Sequence, residues 1–474
     1  DWILHGPYSD KSLLNNFLAF ELHEKMWHYA VRRCFVEVFL DDTLGWLTYP
    51  ADYKGVYVLL EKIEIDRNRV EIARMGPSVT SEPEVTGGYI FKKDKDSPGD
   101  LNFSTRGGAG FGAQSLKYHD PKPREINAAQ RNWLRNYLIA FEEALYASDW
   151  LTRTGPRHYS AFIDVNSFVD NHWIVEFTKQ IDGYRLSNYF SKDRNGKVKM
   201  EPVWDWNLSF GNADYLDGWN PAGWYWTLID PTAHIWLRRL ITGSTSTTAR
   251  SGDPDFNQAL VDRWSVLRTN ILNPSNVLAR IDEIAAYLDE SKDRDFARWP
   301  RLNTYVWPNP SIYIQPTYSQ IIANKKKWIQ DRFAWIDSQM LRAPNISLPA
   351  GFIRSGSLLT ITASVGSIYY TLDGADPRLP MGSINPKASV YTGPIRLDRN
   401  VRVFARARHT NSWSGPTVAT FVTEIPKLRI SEIMFDPAPE TTQQNKADDP
   451  DNLEFIELLN IGQTPIDLDG FRLT

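Results

Sequence analysis

Leu14, Leu18 and Leu22 recur at every fourth position, with Leu13 and Phe17 alongside. This spacing predicts an amphipathic helix through "KSLLNNFLAFELHEKMW", with Asp10 as its acidic cap. The runs "RRCFVEVFLDD" and "KGVYVLLEKIEI" are rich in β-branched and aromatic residues and predict two strands of a hairpin. A further short strand is expected in "GGYIFKKD", after a glycine turn. Residues 95–121, rich in Gly, Asp and Pro, read as a long surface loop. Helical spacing resumes near Pro123. It continues through "NAAQRNWLRNYLIAFEEALY", "DVNSFVDNHWIVEFTKQ" with Asp164 as its cap, "HIWLRRLI", "FNQALVDRWSVLRTNIL", "NVLARIDEIAAYLDESKDRDFARW" and "SQIIANKKKWIQDRFAWIDSQM". After Ala343 and Pro344 the pattern changes. "LLTITAS", "SIYYTLD", "VRVFARARH" and "TVATFVT" are short alternating runs at sandwich spacing, and a second β unit starts near Leu428.

Composition narrows the classes. The chain has 474 residues, which predicts two to four domains; 42% are hydrophobic and 23% charged, as in folded soluble proteins. The net charge is −4 and no basic stripe occurs, which argues against nucleic acid as a partner. There is no run of 18 apolar residues, so no membrane-spanning helix is expected. The single cysteine, Cys34, excludes internal disulfides and cysteine-based zinc sites; inside "CFVEVFL" it is expected to be a buried small hydrophobe. Both ends read as cut within domains, so targeting signals are not expected in view.

Candidate chemistry centres on two acids. Asp182 lies in "TKQIDGYRLSNYF" and Asp205 in "EPVWDWNLSFGN". Burying a carboxylate among aromatic residues is costly unless it is paired, hydrogen-bonded or metal-bound. Between the acids, "YRLSNYF" and "GKVKMEPVWD" predict two strands around the turn "DRNG". One acid precedes this hairpin and the other follows it, so both come near one point. Ser187, five residues after Asp182, is a possible oxygen ligand. Two readings stand at this level: the acids pin loops through Asx-type hydrogen bonds, or they hold a cation for phosphoryl transfer, as such an arrangement does in protein kinases.

Residues 1–343 resemble the spore-coat-H (CotH) kinase family. The likeness rests on "YSDKSLLNNFLAFEL", "VEVFL", "YKGVYVLLEKIEI", "GGYIFKKD", "KQIDGYRLSNYFSKDRNGKVKMEPVWDWNLSFGN" and "DFARWP", in the family's order. The resemblance implies an α+β, divergent two-lobed protein-kinase-like fold, with a small β-containing lobe and a large helical lobe. It implies Mg²⁺ (or Mn²⁺) and ATP as cofactors. Asp182 would be the catalytic acid. Asp205 would bind metal, with Ser187 or Asn207 as further ligands; Asn207 stands where many members have a second Asp. Gln180, Glu61 and Lys92 match positions on the nucleotide side. For Glu61 the other reading is a surface acid at a strand end, and for Lys92 a solvated strand-edge lysine. The usual glycine loop is missing, as in the family, and "RGGAGFGAQS" reads as a flexible loop. Strands that family members carry upstream of residue 1 are not in this sequence.

Residues 344–426 resemble the chitobiase C-terminal-like, fibronectin-associated β-sandwich. Residues 427–474 resemble the first half of a lamin-tail immunoglobulin-like domain. Carbohydrate contact through Trp413 and Tyr369, or core packing of both, is expected there. Asp448, Asp449 and Asp451 form either a Ca²⁺ loop or a solvated one. The whole implies an exported or cell-surface bacterial protein kinase acting on Ser or Thr of a coat or surface protein. The alternatives are a pseudokinase serving as an adhesion or assembly module, and a kinase-fold transferase performing adenylylation or amino-acid ligation.

Overall fold

The computed structural model describes residues 1–42, 45–233, 235–245, 251–435, 454–466 and 468. The chain divides into two compact units, Asp1–Leu341 with Pro380–Gly382, and Arg342–Leu379 with Ser383–Thr474.

The first unit mixes two antiparallel sheets with eight α-helices among the described residues. Strands β1 (Trp2–His5), β2 (Arg33–Phe39) and β3 (Tyr53–Glu61) form a sheet in the order β1-β3-β2. The expected hairpin is therefore present, and β1 adds an edge that the sequence pattern did not signal. Because β2 is the other edge strand, Cys34 is exposed rather than buried. Helix α1 (Asn15–Lys25) precedes β2. It starts five residues after Asp10, which therefore does not hold the cap position. The Asp10 carboxylate nevertheless accepts the Asn15 amide at 2.7 Å, and so satisfies one free N–H of the first turn.

The second sheet has the order β5-β6-β4-β7-β8, from β4 (Tyr89–Lys93), β5 (Asn102–Ser104), β6 (Ser115–Asp120), β7 (Asn188–Lys192) and β8 (Val198–Lys199). Strands β5 and β6 lie where a loop was expected. Their apolar residues, Phe103, Leu116 and Tyr118, are buried, but glycines and acids between the strands mask the pattern. The glycine-rich turn at 106–112 is pinned, not loose. Buried Glu142 accepts the Arg106 and Gly107 amides at 2.9 and 2.6 Å. Strand β7 comes much later in the chain than β4 yet pairs with it, and β8 pairs with β7, so strand structure is not confined to the N-terminal part.

Helix α2 (Ala128–Leu145) carries a full capping box from Asn127 and Gln130. Helix α3 (Val165–Thr178) is capped by Asp164, as its sequence predicted, and is buried from Ser167 to Thr178. It packs against α5 (Pro254–Thr269) and α8 (Tyr318–Ser338); α4 (Leu237–Thr242), α6 (Pro274–Tyr287) and α7 (Asp289–Arg298) complete the helices, with α4 on α5, α6 on α8 and α7 on β3. The C-terminal end of α3 is held by a buried ion pair. Arg332 of α8 meets Glu176 at 3.1 Å, and its remaining donors take the Glu176, Pro221 and Gly223 carbonyls. The other face of Glu176 accepts the Tyr225 and Trp226 amides, both at 2.9 Å. Such full satisfaction is what makes a buried charge pair tolerable.

In the second unit the main sheet runs Gly351–Phe352, Thr417–Val422, Val401–His409, Ser367–Thr371, Ser389–Val390. Leu359, Ile361, Leu397, Val403, Ala405 and Phe421 form its core. Trp413 is 4% exposed and packs edge-on to Tyr369, so its ring is a core element and not a sugar platform. Leu428–Met434 and Phe455–Asn460 form a separate antiparallel pair. Asp448, Asp449 and Asp451 lie outside the described residues.

Candidate active site

Asp182 and Asp205 stand on two loops at the C-terminal end of α3, one on each side of the β7–β8 hairpin. The loops are sewn together by four hydrogen bonds. Phe210 N–H donates to Thr178 O (2.7 Å), Ile181 N–H to Leu208 O (3.3 Å), Trp206 Nε1–H to Thr178 Oγ1 (2.9 Å) and Gln180 Nε2–H to Asp205 O (2.5 Å). Gln180 Oε1 also accepts the Asp182 amide at 3.1 Å. Both ends of this buried side chain are thus spent on the two acid loops. Gln180 is a clamp between them.

A second set of bonds holds the Asp205 loop from behind. Asn16 Oδ1 accepts the Trp206 amide at 2.5 Å, and Asn15 Nδ2 donates to Asn207 O and Ser209 O, each at 3.0 Å. Buried Lys325 in turn holds Asn15 Oδ1. This is the use of the paired asparagines in "LLNNF". Polar residues opening an otherwise apolar helix were the available signal for them.

The backbone carries strain at this place. Lys179, Tyr184, Ser187, Asp205 and Phe210 all have φ between 48° and 65°, the left-handed region that side chains other than glycine avoid. Such clusters persist where surrounding bonds over-determine them, commonly at functional sites.

Asp182 is buried, and its Oδ1 accepts Arg185 Nη2 at 2.5 Å. Asp205 is half-buried, and among the described residues nothing donates a hydrogen bond to its carboxylate. Burial, then the Asp182 charge, then the Asp94 charge push its pKa up to about 6, with Lys95 opposing. Asp182 and Asp94 thus lie close enough for their charges to oppose ionisation of Asp205, on top of the cost of burial. Ser187 is buried and lies across from Trp204, because the Asn188–Val203 bridge extends the hairpin. The hydroxyl of Ser187 and the side-chain amide of half-buried Asn207 likewise make no hydrogen bond among the described residues. No group of three or more His, Cys, Asp or Glu side chains among those residues is close enough to chelate a metal. Carboxylate, hydroxyl and amide oxygens are the donor types that Mg²⁺ accepts when phosphate and water complete its shell.

The remaining candidates are distributed differently. Lys92 is on β4, a central strand, with its side chain 13% exposed. Its ammonium lies 3.5 Å from Asp94 and over the Tyr189 ring. It is not a solvated edge lysine, and the Tyr189 ring beneath it also feels the Asp205 charge. Glu61 is fully buried, not a surface acid. It pairs with Arg32 at 2.5 Å and Arg69 at 3.5 Å, and no contact among the described residues joins it to Lys92, Asp182 or Asp205. Asp94, Lys95 and Arg185 were not expected from the sequence, although Asp94 closes the "YIFKKD" run.

The model of the CotH kinase protein family matches residues 1–336, more than two thirds of the chain, and that of the Fn3-associated family matches residues 359–421. The chain belongs to the CotH kinase family and carries an Fn3-associated β-sandwich behind that domain. No curated protein matches it. Family membership goes with a kinase-like function.

Proposed function

We propose that the first unit transfers the γ-phosphoryl group of ATP to a Ser or Thr hydroxyl of a protein at the cell surface. The observation that supports this best is the Asp205 carboxylate: half-dry, without a hydrogen-bond donor among the described residues, its pKa raised by burial and by Asp182 and Asp94, on a backbone held at Asp205 O by Gln180 and at the Trp206 amide by Asn16. Asp205, with Asn207 or Ser187, would hold Mg²⁺. The ion supplies charge neutralisation for the phosphates and for the carboxylates themselves. Asp182 accepts the proton of the acceptor hydroxyl as the new O–P bond forms and the bond to the ADP oxygen breaks. Lys92, whose ammonium lies 3.5 Å from Asp94, would meet phosphate. Most of the catalysis then comes from positioning and fixed charge, which accounts for how heavily the two loops are braced.

The β-sandwich and the paired strands Leu428–Met434 and Phe455–Asn460, read as the start of a lamin-tail module, would place the enzyme on an exported or surface-attached assembly. A second reading, a pseudokinase used for adhesion, is favoured by Asn207 in place of a second acid and by the lack of a three-ligand cluster among the described residues. The test is incubation with Mg-ATP and surface-protein extract, read by intact mass. A gain of one phosphate that needs Asp182 supports the proposal, while an added nucleotide or amino acid points to the other transfers. No gain on any protein, with no nucleotide binding, leaves the pseudokinase.

A further inference from the structure

Ten residues beyond Asp205, the Tyr215 ring stacks on Trp307, with centroids 6.0 Å apart and planes 13° from parallel. Trp307 is 64% exposed. Its loop is nevertheless held firmly. The Asp214 amide donates to Pro308 O at 2.9 Å, Asn309 Nδ2 to Asn212 Oδ1 at 2.8 Å, and the Tyr305 hydroxyl to Asp214 Oδ2 at 2.8 Å. A large indole held in water on a pinned loop gains little for the fold, since it buries little area. The shelf is continuous with the acid pair. Arg185, which pairs with Asp182, also lies against the Tyr215 phenol.

We propose that Tyr215, Trp307 and Asp214 form a subsite for the acceptor polypeptide, receiving an Arg or Lys side chain that flanks the hydroxyl to be modified. This rests on the phosphotransferase reading above and names how that site chooses its acceptor. The charge pattern favours a cation: aromatic faces attract guanidinium and ammonium groups, Asp214 is exposed beside them, and Arg185, the cation against Tyr215, is committed to Asp182. An aromatic or acidic flanking residue would lack one or both of these attractions. The same shelf would orient the acceptor so that its hydroxyl approaches Asp182.

The test is fluorescence polarisation of labelled Ser-containing peptides with the full chain, without nucleotide, so that peptide binding is scored independently of catalysis. Peptides differ only in flanking Arg, Lys, Ala, Phe or Glu. The Arg and Lys peptides should bind about three- to tenfold more tightly than the Ala peptide. The difference should vanish in Trp307→Ala and largely survive in Trp307→Phe, with thermal melts confirming that both variants fold. Equal binding of all peptides, a preference for Phe or Glu, no binding at all, or an Arg preference intact in Trp307→Ala would overturn the subsite. Mg-ATP binding by the unmodified protein is measured beside it. If nucleotide fails to bind, the kinase reading falls whatever the peptides show.

Discussion

The Gln180 side-chain amide donates to the Asp205 carbonyl at 2.5 Å while its oxygen accepts the Asp182 amide at 3.1 Å. One buried residue thus fixes the backbone of both acids. Replacing it by Ala leaves a buried N–H and a carbonyl without partners, at a cost of about 1–3 kcal/mol. Gln180→Ala should lower the melting temperature and reduce turnover more than tenfold, while Gln180→Asn should recover part of both. Equal kcat in wild type and Gln180→Ala would show that the clamp has no catalytic role.

Asp205 makes the apo protein less stable at neutral pH. Its folded pKa, raised to about 6, exceeds the ordinary carboxylate value, so the fold favours the protonated form. Stability is therefore lost as pH rises through this range, between about 4 and 6. Asp205→Asn should stabilise the metal-free protein by about 2 kcal/mol at pH 7 and hardly at all at pH 4, as read by urea melts. Because protons compete with the cation, Mg²⁺ affinity should fall as pH drops below about 6.

His28 gives a change of the same sense at higher pH. Burial alone would lower its pKa, but hydrogen bonds to Asp170 at 2.9 Å and Glu201 at 2.6 Å, with their charges, raise it to about 9. A folded pKa above the unfolded one means that the stabilisation is complete below about 6.5 and is lost as pH rises through 9. His28→Gln should abolish that slope in thermal melts between pH 6.5 and 9.5. It should also destabilise the protein at pH 6, where Asp170 would keep only Arg263.

Breaking the pair between α3 and α8 should be the most damaging of these changes. Arg332→Leu leaves Glu176 buried without its countercharge, which costs about 3–5 kcal/mol. Since Glu176 holds the Tyr225 and Trp226 amides, the variant should lose nucleotide binding along with cooperativity in denaturant melts.

What could be read from sequence was local. The Asp164 cap of α3 and the hairpin between the two acids follow from neighbouring residues, and family motifs carried the acids themselves. Contacts across long separations were invisible, such as Asn16 to Trp206, 190 residues apart. Two expectations failed for different reasons. Cys34 faces outward because β2 is a sheet edge, and β5 and β6 hide behind glycines and acids that elsewhere mark loops. The pairing of Glu61 with Arg32 and Arg69 was equally out of reach of its local sequence, which left a surface acid as one reading.

The most direct measurement is calorimetric titration of ATP into the full chain, with and without Mg²⁺, beside Asp205→Ala. Magnesium-dependent binding in the wild type, weakened at least tenfold in the variant, is the predicted result. Binding that ignores magnesium, or is equal in both proteins, would contradict the assignment of Asp205 as the metal-holding acid of a phosphotransferase.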